Sequence, residues 1–132
     1  MNTLRAKVST IKSMDNLALV SFSFGKQKLE MISLGLSQTL KEGSTVILGV
    51  KATSITIAKE FQGRISTTNQ LEARVESVKN GKLLSSIRVK IENSVLESLI
   101  TSEASSLLHI KKGDAVLVFI KASDLSIIEE EV

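Results

Sequence analysis

The sequence predicts a mostly β fold written twice. Three observations carry that reading: an internal repeat, a hydrophobic period of two within each copy, and glycines placed as turns between short apolar runs. The repeat opens with NTLRAKVSTIKS at Asn2 and with NQLEARVESVKN at Asn69, 67 residues later. It closes with LKEGSTVILGVKATSITI and IKKGDAVLVFIKASDLSI, where Gly43 and Gly113 lie 70 residues apart. A short insertion in the second copy accounts for the difference. The copies divide the chain into modules 1–62 and 63–132, joined by the short segment AKEFQGRISTTNQ.

The elements follow in order within each module. The repeat openings head the first strand. Ala18, Val20, Phe22 and Phe24 alternate with Leu19, Ser21 and Ser23, and Ile87, Val89 and Ile91 alternate with Arg88, Lys90 and Glu92. Such alternation predicts half-buried strands. Gly25, Gly43, Gly81 and Gly113 fall where turns are needed. SLGLSQTLKEG and TSEASSLLHIKKG each predict one short helix before a Lys-x-Gly turn, with Ser33 and Thr101 as N-caps. AVLVFI, Ala115 to Ile120, predicts a strand covered on both faces. Five short strands and one small helix in about 65 residues suggest an OB-like barrel. The expected architecture is therefore two tandem OB-like five-stranded barrels, each with one short helix. A module this small buries a modest core alone, so pairing of copies and then of chains covers the remaining apolar surface.

Composition narrows the function. The 132 residues are 42% hydrophobic, with four Phe and no Tyr or Trp, so aliphatic side chains fill the core. No Cys means no disulfide, thiolate site or Cys nucleophile, and a single histidine, His109, builds no histidine-rich metal site. The charged N-terminus lacks a secretory pattern, and no apolar run approaches the roughly 20 residues of a membrane helix. A cytoplasmic protein is the expectation. The net charge of +3 is mild and interspersed. Carboxylates such as Glu72, Glu76, Glu92 and Asp114 form no paired motif, and no phosphate-binding P-loop is present. An enzyme is not expected.

The most informative phrase is Lys51-Ala52-Thr53, repeated as Lys121-Ala122-Ser123 after an apolar run. Lysine and hydroxyl supply hydrogen-bond donors, turning backbone exposes N–H groups, and alanine allows close approach. Donor-only chemistry suits a dianion with no proton to give. A solvated lysine beside a strand-ending hydroxyl is the plainer alternative. STTNQL, Ser66 to Leu71, places hydroxyls and Asn69 at the head of a strand, where barrel rims bring strand starts and ends together. Ser33 and Thr101 sit at matching places and offer further hydroxyls to a neighbouring module.

NQLEARV, KKGDAV and FIKASDLSI together resemble the Mop or TOBE module, and the tandem copy resembles the tandem molbindins across essentially the full chain. That resemblance implies OB-like barrels that bind molybdate or tungstate, with no covalent cofactor and no cation-ligating metal site. It implies a homotrimer of six modules with oxyanions at the interfaces. Carried onto this chain, the site residues are Ser66, Thr68, Asn69, Lys121, Ala122, Ser123 and Thr101. Their first-copy counterparts are Asn2, Lys51, Ala52, Thr53 and Ser33. Thr68 stands where the family's motif has arginine, and Asp124 stands where the first copy has Ser54. Two other readings remain: a single-strand nucleic-acid-binding barrel, against which the scarcity of aromatics argues, and the ligand-sensing partner of a molybdate-responsive regulator.

Overall fold

The computed structural model describes residues 1–131. Among them are ten strands. The first copy supplies β1 (Asn2–Met14), β2 (Leu17–Phe24), β3 (Gln27–Leu34), β4 (Thr45–Val50) and β5 (Thr56–Ala58). The second supplies β6 (Asn69–Asn80), β7 (Leu84–Ile91), β8 (Ser94–Thr101), β9 (Ala115–Ile120) and β10 (Ser126–Glu131). A helix, α1 (Ser102–Leu107), lies between β8 and β9.

These strands form two curled, antiparallel, five-stranded sheets. Their orders are β10-β4-β1-β2-β3 and β5-β9-β6-β7-β8. The last strand of each copy has crossed to the other copy's sheet. Thr56 pairs with Phe119 on the second sheet, and Ser126 pairs with Gly49 on the first.

The sequence repeat is reproduced bond by bond. The register slips between Val8 and Thr10 in β1 and between Val75 and Ser77 in β6, so each long first strand carries a bulge at the same place. A bulge bends and twists its strand, and here it lets one strand serve two neighbours. Gly43 N–H donates to Val8 C=O at 2.8 Å, and Gly113 N–H donates to Val75 C=O at 2.8 Å. Both glycines adopt φ near +90° (+90° and +93°), which a side chain resists. Each Lys-x-Gly turn is closed by the next residue's side chain. Ser44 Oγ accepts from Lys41 N–H at 3.1 Å, and Asp114 Oδ2 accepts from Lys111 N–H at 2.9 Å.

The period of two sorts inside from outside as expected. Ala18, Val20, Phe22 and Phe24 are buried, as are Ile87, Val89 and Ile91. Four of the six residues of AVLVFI are buried: Val116, Val118, Phe119 and Ile120.

One expected element differs. The second copy forms its helix, with Thr101 Oγ1 accepting from Ala104 N–H at 3.1 Å as the N-cap. The first copy has no helix at SLGLSQTLKEG, and Ser33 is not a cap. Ser33 remains in β3, paired with Ala18. The first-copy segment is two residues shorter, and Gly35 takes φ +75° immediately after the strand. Its N–H donates to Asn16 C=O at 2.9 Å. A left-handed glycine at that point turns the chain away from a right-handed helix.

The sheets meet through matching contacts. Asn2 Oδ1 accepts from Glu97 N–H at 2.9 Å, while its Nδ2 donates to Glu97 C=O at 2.7 Å. Asn69 repeats this with Glu30, at 2.7 and 2.8 Å. Each asparagine at a strand start thus satisfies main-chain groups of an edge strand in the other sheet. At the hairpin tips, Glu92 Oε1 accepts from Lys26 N–H at 3.0 Å. A Cβ on Gly25 would stand 2.6 Å from Glu92 Cδ.

Candidate functional site

Strand pairing assembles the repeated phrase with the strand starts. Asn2 lies opposite Val50, so β1 begins beside Lys51-Ala52-Thr53. Asn69 lies opposite Ile120, so β6 begins beside Lys121-Ala122-Ser123. The two phrases adopt one backbone shape. Lys51 has φ −71° and ψ 143°, Lys121 has φ −63° and ψ 142°, and each leads into a single 3-10 turn. Ser54 N–H donates to Lys51 C=O, and Asp124 N–H donates to Lys121 C=O, both at 2.9 Å. Both lysines and the hydroxyls of Thr53 and Ser123 are exposed, with Ala52 and Ala122 half-buried.

Strand exchange sets the turns side by side. The turn after β4 runs directly into β5, whose Thr56 faces Phe119 near the end of β9. A cleft of about 390 Å³ lies there, lined by Thr53, Ser54, Thr67, Lys121, Ser123 and Asp124 among others. A second cavity, of about 530 Å³, brings Ser33 together with Ser123 between β3 and the second turn. Thr101 is exposed at the end of β8, and the first turn packs against that strand. Ser66 is exposed in the junction.

Other candidates are engaged within the chain. Asn69 is 1% exposed, with one amide N–H and its oxygen committed to Glu30. Thr68 Oγ1 donates to Glu30 Oε1 at 2.9 Å. Asn2 is half-buried on Glu97. Thr67, Ser54 and Thr56 line the cleft and were not singled out from the sequence. The signal for Ser54 was present, because it follows the first phrase as Asp124 follows the second.

Two ion pairs flank the repeat. Arg5 Nη2 lies 2.8 Å from Glu131 Oε2, and that bond holds the Glu131 carboxyl below its ordinary range. Asp114 is held low by the Lys111 backbone N–H first and by Lys59, at 3.0 Å, second. Among the described residues no group of three or more His, Asp or Glu side chains is placed to hold a metal ion. No helix among them is long and apolar enough to cross a membrane.

Fold and repeat define a protein of two similar β modules with paired donor-rich turns. Residues 65–127 match the TOBE domain family. The chain carries this match in its second module. Its fold is similar to that of ModG, described as a cytoplasmic molybdate-binding protein and crystallised with molybdate bound. The identity is 25%, the coverage 96% of this chain and 94% of that one, and the TM-score 0.90. A molybdate-binding protein from Sporomusa ovata is 27% identical over 51% of this chain and 100% of its own, with a TM-score of 0.49. No curated protein sequence matches the chain.

Proposed function

We propose that this protein binds molybdate, and tungstate with it, as a cytoplasmic store or buffer of the oxyanion rather than as an enzyme. One observation carries the reading: the Lys-Ala-hydroxyl turn occurs twice with one backbone shape, and strand exchange places the two copies side by side. The similarity to ModG over nearly the whole chain supports it. Lys51 and Lys121 supply charge, the turn hydroxyls and backbone N–H groups supply donors, and the half-buried alanines let an anion approach. In a donor-only environment a fully deprotonated tetrahedral dianion leaves no proton unpaired. A buried unpaired polar group costs roughly 1–3 kcal/mol.

Donors from further modules complete the sites in a homotrimer of modules 1–62 and 63–132. The outer face of the first sheet supports such assembly. Leu17 faces Leu34 and Leu19 faces Ile32 across β2 and β3, and all four are exposed. Contiguous exposed apolar surface of this kind marks association sites. The nucleic-acid reading loses its stacking platform, since Phe22, Phe24 and Phe119 are buried.

Titration calorimetry with molybdate, tungstate, sulfate and phosphate, read beside solution mass, tests the function. Absence of heat with both molybdate and tungstate removes it, and a monomer at micromolar concentration removes the shared sites. Lys121→Ala should weaken molybdate binding about tenfold or more, as loss of a charge-assisted contact does. Its melting temperature should not change, because the lysine is exposed.

A further inference from the structure

The cavity of about 530 Å³ between β3 and the second turn differs in chemistry from the donor-rich turns. Met31, Leu36, Leu40, Leu125, Ile127 and Glu130 line it, and no lysine or arginine does. The Glu130 carboxylate is its only charged lining group. Glu130 is half-buried and makes no ion pair among the described residues. Its Oε1 accepts from Thr39 Oγ1, a neutral donor, at 2.9 Å.

The repeat reveals a second acceptor. Val20 lies opposite Met31 and Ile87 lies opposite Ser98, so Met31 and Ser98 hold matching places. Ile55 and Leu125 hold matching places after the two turns. In the second sheet Ser98 Oγ donates to Ile55 C=O at 2.7 Å. In the first sheet Met31 has no donor to give, and Leu125 C=O accepts no hydrogen bond among the described residues. Leu125 is 3% exposed, and buried main-chain carbonyls are normally paired. One copy closes this place with a serine. The other opens a cavity with apolar walls, a carboxylate and a free carbonyl.

Carboxylate and carbonyl accept hydrogen bonds and give none. An anion here meets only like charge. An ammonium group carries three donors, and its bond to a carboxylate is of the stronger, charge-assisted kind. An alkyl chain attached to it leaves water against the apolar walls. We propose that this cavity is a site for a primary aliphatic ammonium ion. Its N–H groups bond to Glu130 and the Leu125 carbonyl, and its chain packs on Met31, Leu40 and Ile127. The site is independent of the oxyanion reading and takes the opposite charge.

n-Hexylamine, an ammonium ion near neutral pH, is the probe. Calorimetry on wild type should show saturable binding at least about tenfold tighter than that of hexanol, which lacks the charge. Hexanoate should not bind. The chain has three methionines, Met1, Met14 and Met31, so methyl NMR locates the site. The amine should shift Met31 and leave the exposed Met14 in place. Glu130→Gln should weaken the amine about tenfold, the loss of one charge-assisted bond, and leave hexanol unchanged. Absence of a saturable Met31 shift up to millimolar amine overturns the proposal, as does equal amine affinity in folded Glu130→Gln. Equal binding of hexylamine and hexanoate by wild type also overturns it, and that comparison needs no variant. Molybdate heat is a separate readout, so failure of the oxyanion reading leaves the amine result intact.

Discussion

The two copies share a backbone and differ in how they fill and tie it. At the outer end of the fourth strand of each repeat, the second copy has Phe119, whose ring meets Phe61 edge to face at 5.1 Å. The first copy has Gly49 there. A Cβ on Gly49 would stand 2.7 Å from Met1 Sδ and 3.0 Å from Ile128 Cγ2. The space is occupied in both sheets, by the strand's own ring at Phe119 and by Met1 and Ile128 beside Gly49. The same contrast runs through the turns. Ser44 closes one Lys-x-Gly turn as a neutral hydroxyl, and Asp114 closes the other as a charge tied to Lys59 from the junction. A duplicated fold thus tolerates exchange of the partner that satisfies a position, provided that something satisfies it.

The largest expected break in this comparison is Phe119→Ala. It removes a 9%-exposed ring and should destabilise by about 3–5 kcal/mol in urea unfolding. Gly49 cannot compensate from the other sheet. Next come the asparagines. Asn69→Ala leaves the Glu30 N–H and C=O without their partners and should cost roughly 2–3 kcal/mol. Asn2→Ala, at a half-buried position, should cost about 1 kcal/mol; equal losses would show that burial does not separate the pair. Thr101→Ala deletes a helix cap and should cost about 1 kcal/mol. Ser33→Ala, at the matching place without a helix, should fall within about 0.5 kcal/mol of wild type.

The smallest effect is pH-dependent. The folded Asp114 carboxyl titrates below its unfolded value. Its contribution is complete above the ordinary aspartate pKa of about 3.9 and is lost as pH falls through the lower folded value. Asp114→Asn should therefore melt below wild type at neutral pH, and the gap should close in melts run from about pH 4 downward. A gap constant across that range would assign the difference to packing. Ser44→Ala should show no such pH dependence.

Much of this was legible in the residues. The repeat offsets place the Lys-x-Gly turns and the Lys-Ala-hydroxyl turns correctly, because each depends on local backbone chemistry, whereas the bulges of β1 and β6 carried no signal read from the sequence. Thr101 is readable as a cap for the same reason. Strand exchange was not legible. Thr56–Ala58 and Ser126–Glu131 have matching preferences, and β4 and β9 offer matching edges, so nothing local chooses between a strand's own sheet and the other. The asparagine contacts were hidden likewise. Asn2 and Asn69 recur in step and suggest a shared role, but Glu97 and Glu30 lie far away in sequence and meet them through main-chain atoms. In the first copy, Gly35 outweighed the helical expectation for Ser33 and the residues after it.

The exchanged strands also order events during synthesis. The second sheet takes its outermost strand from residues made early, so it can close soon after β9 emerges. The first sheet must wait with β4 uncovered on one side until β10 leaves the ribosome. The half of the protein translated first is therefore the half finished last. Through that interval the nascent chain exposes the row of N–H and C=O groups along Thr45–Val50 that invites pairing with a stranger.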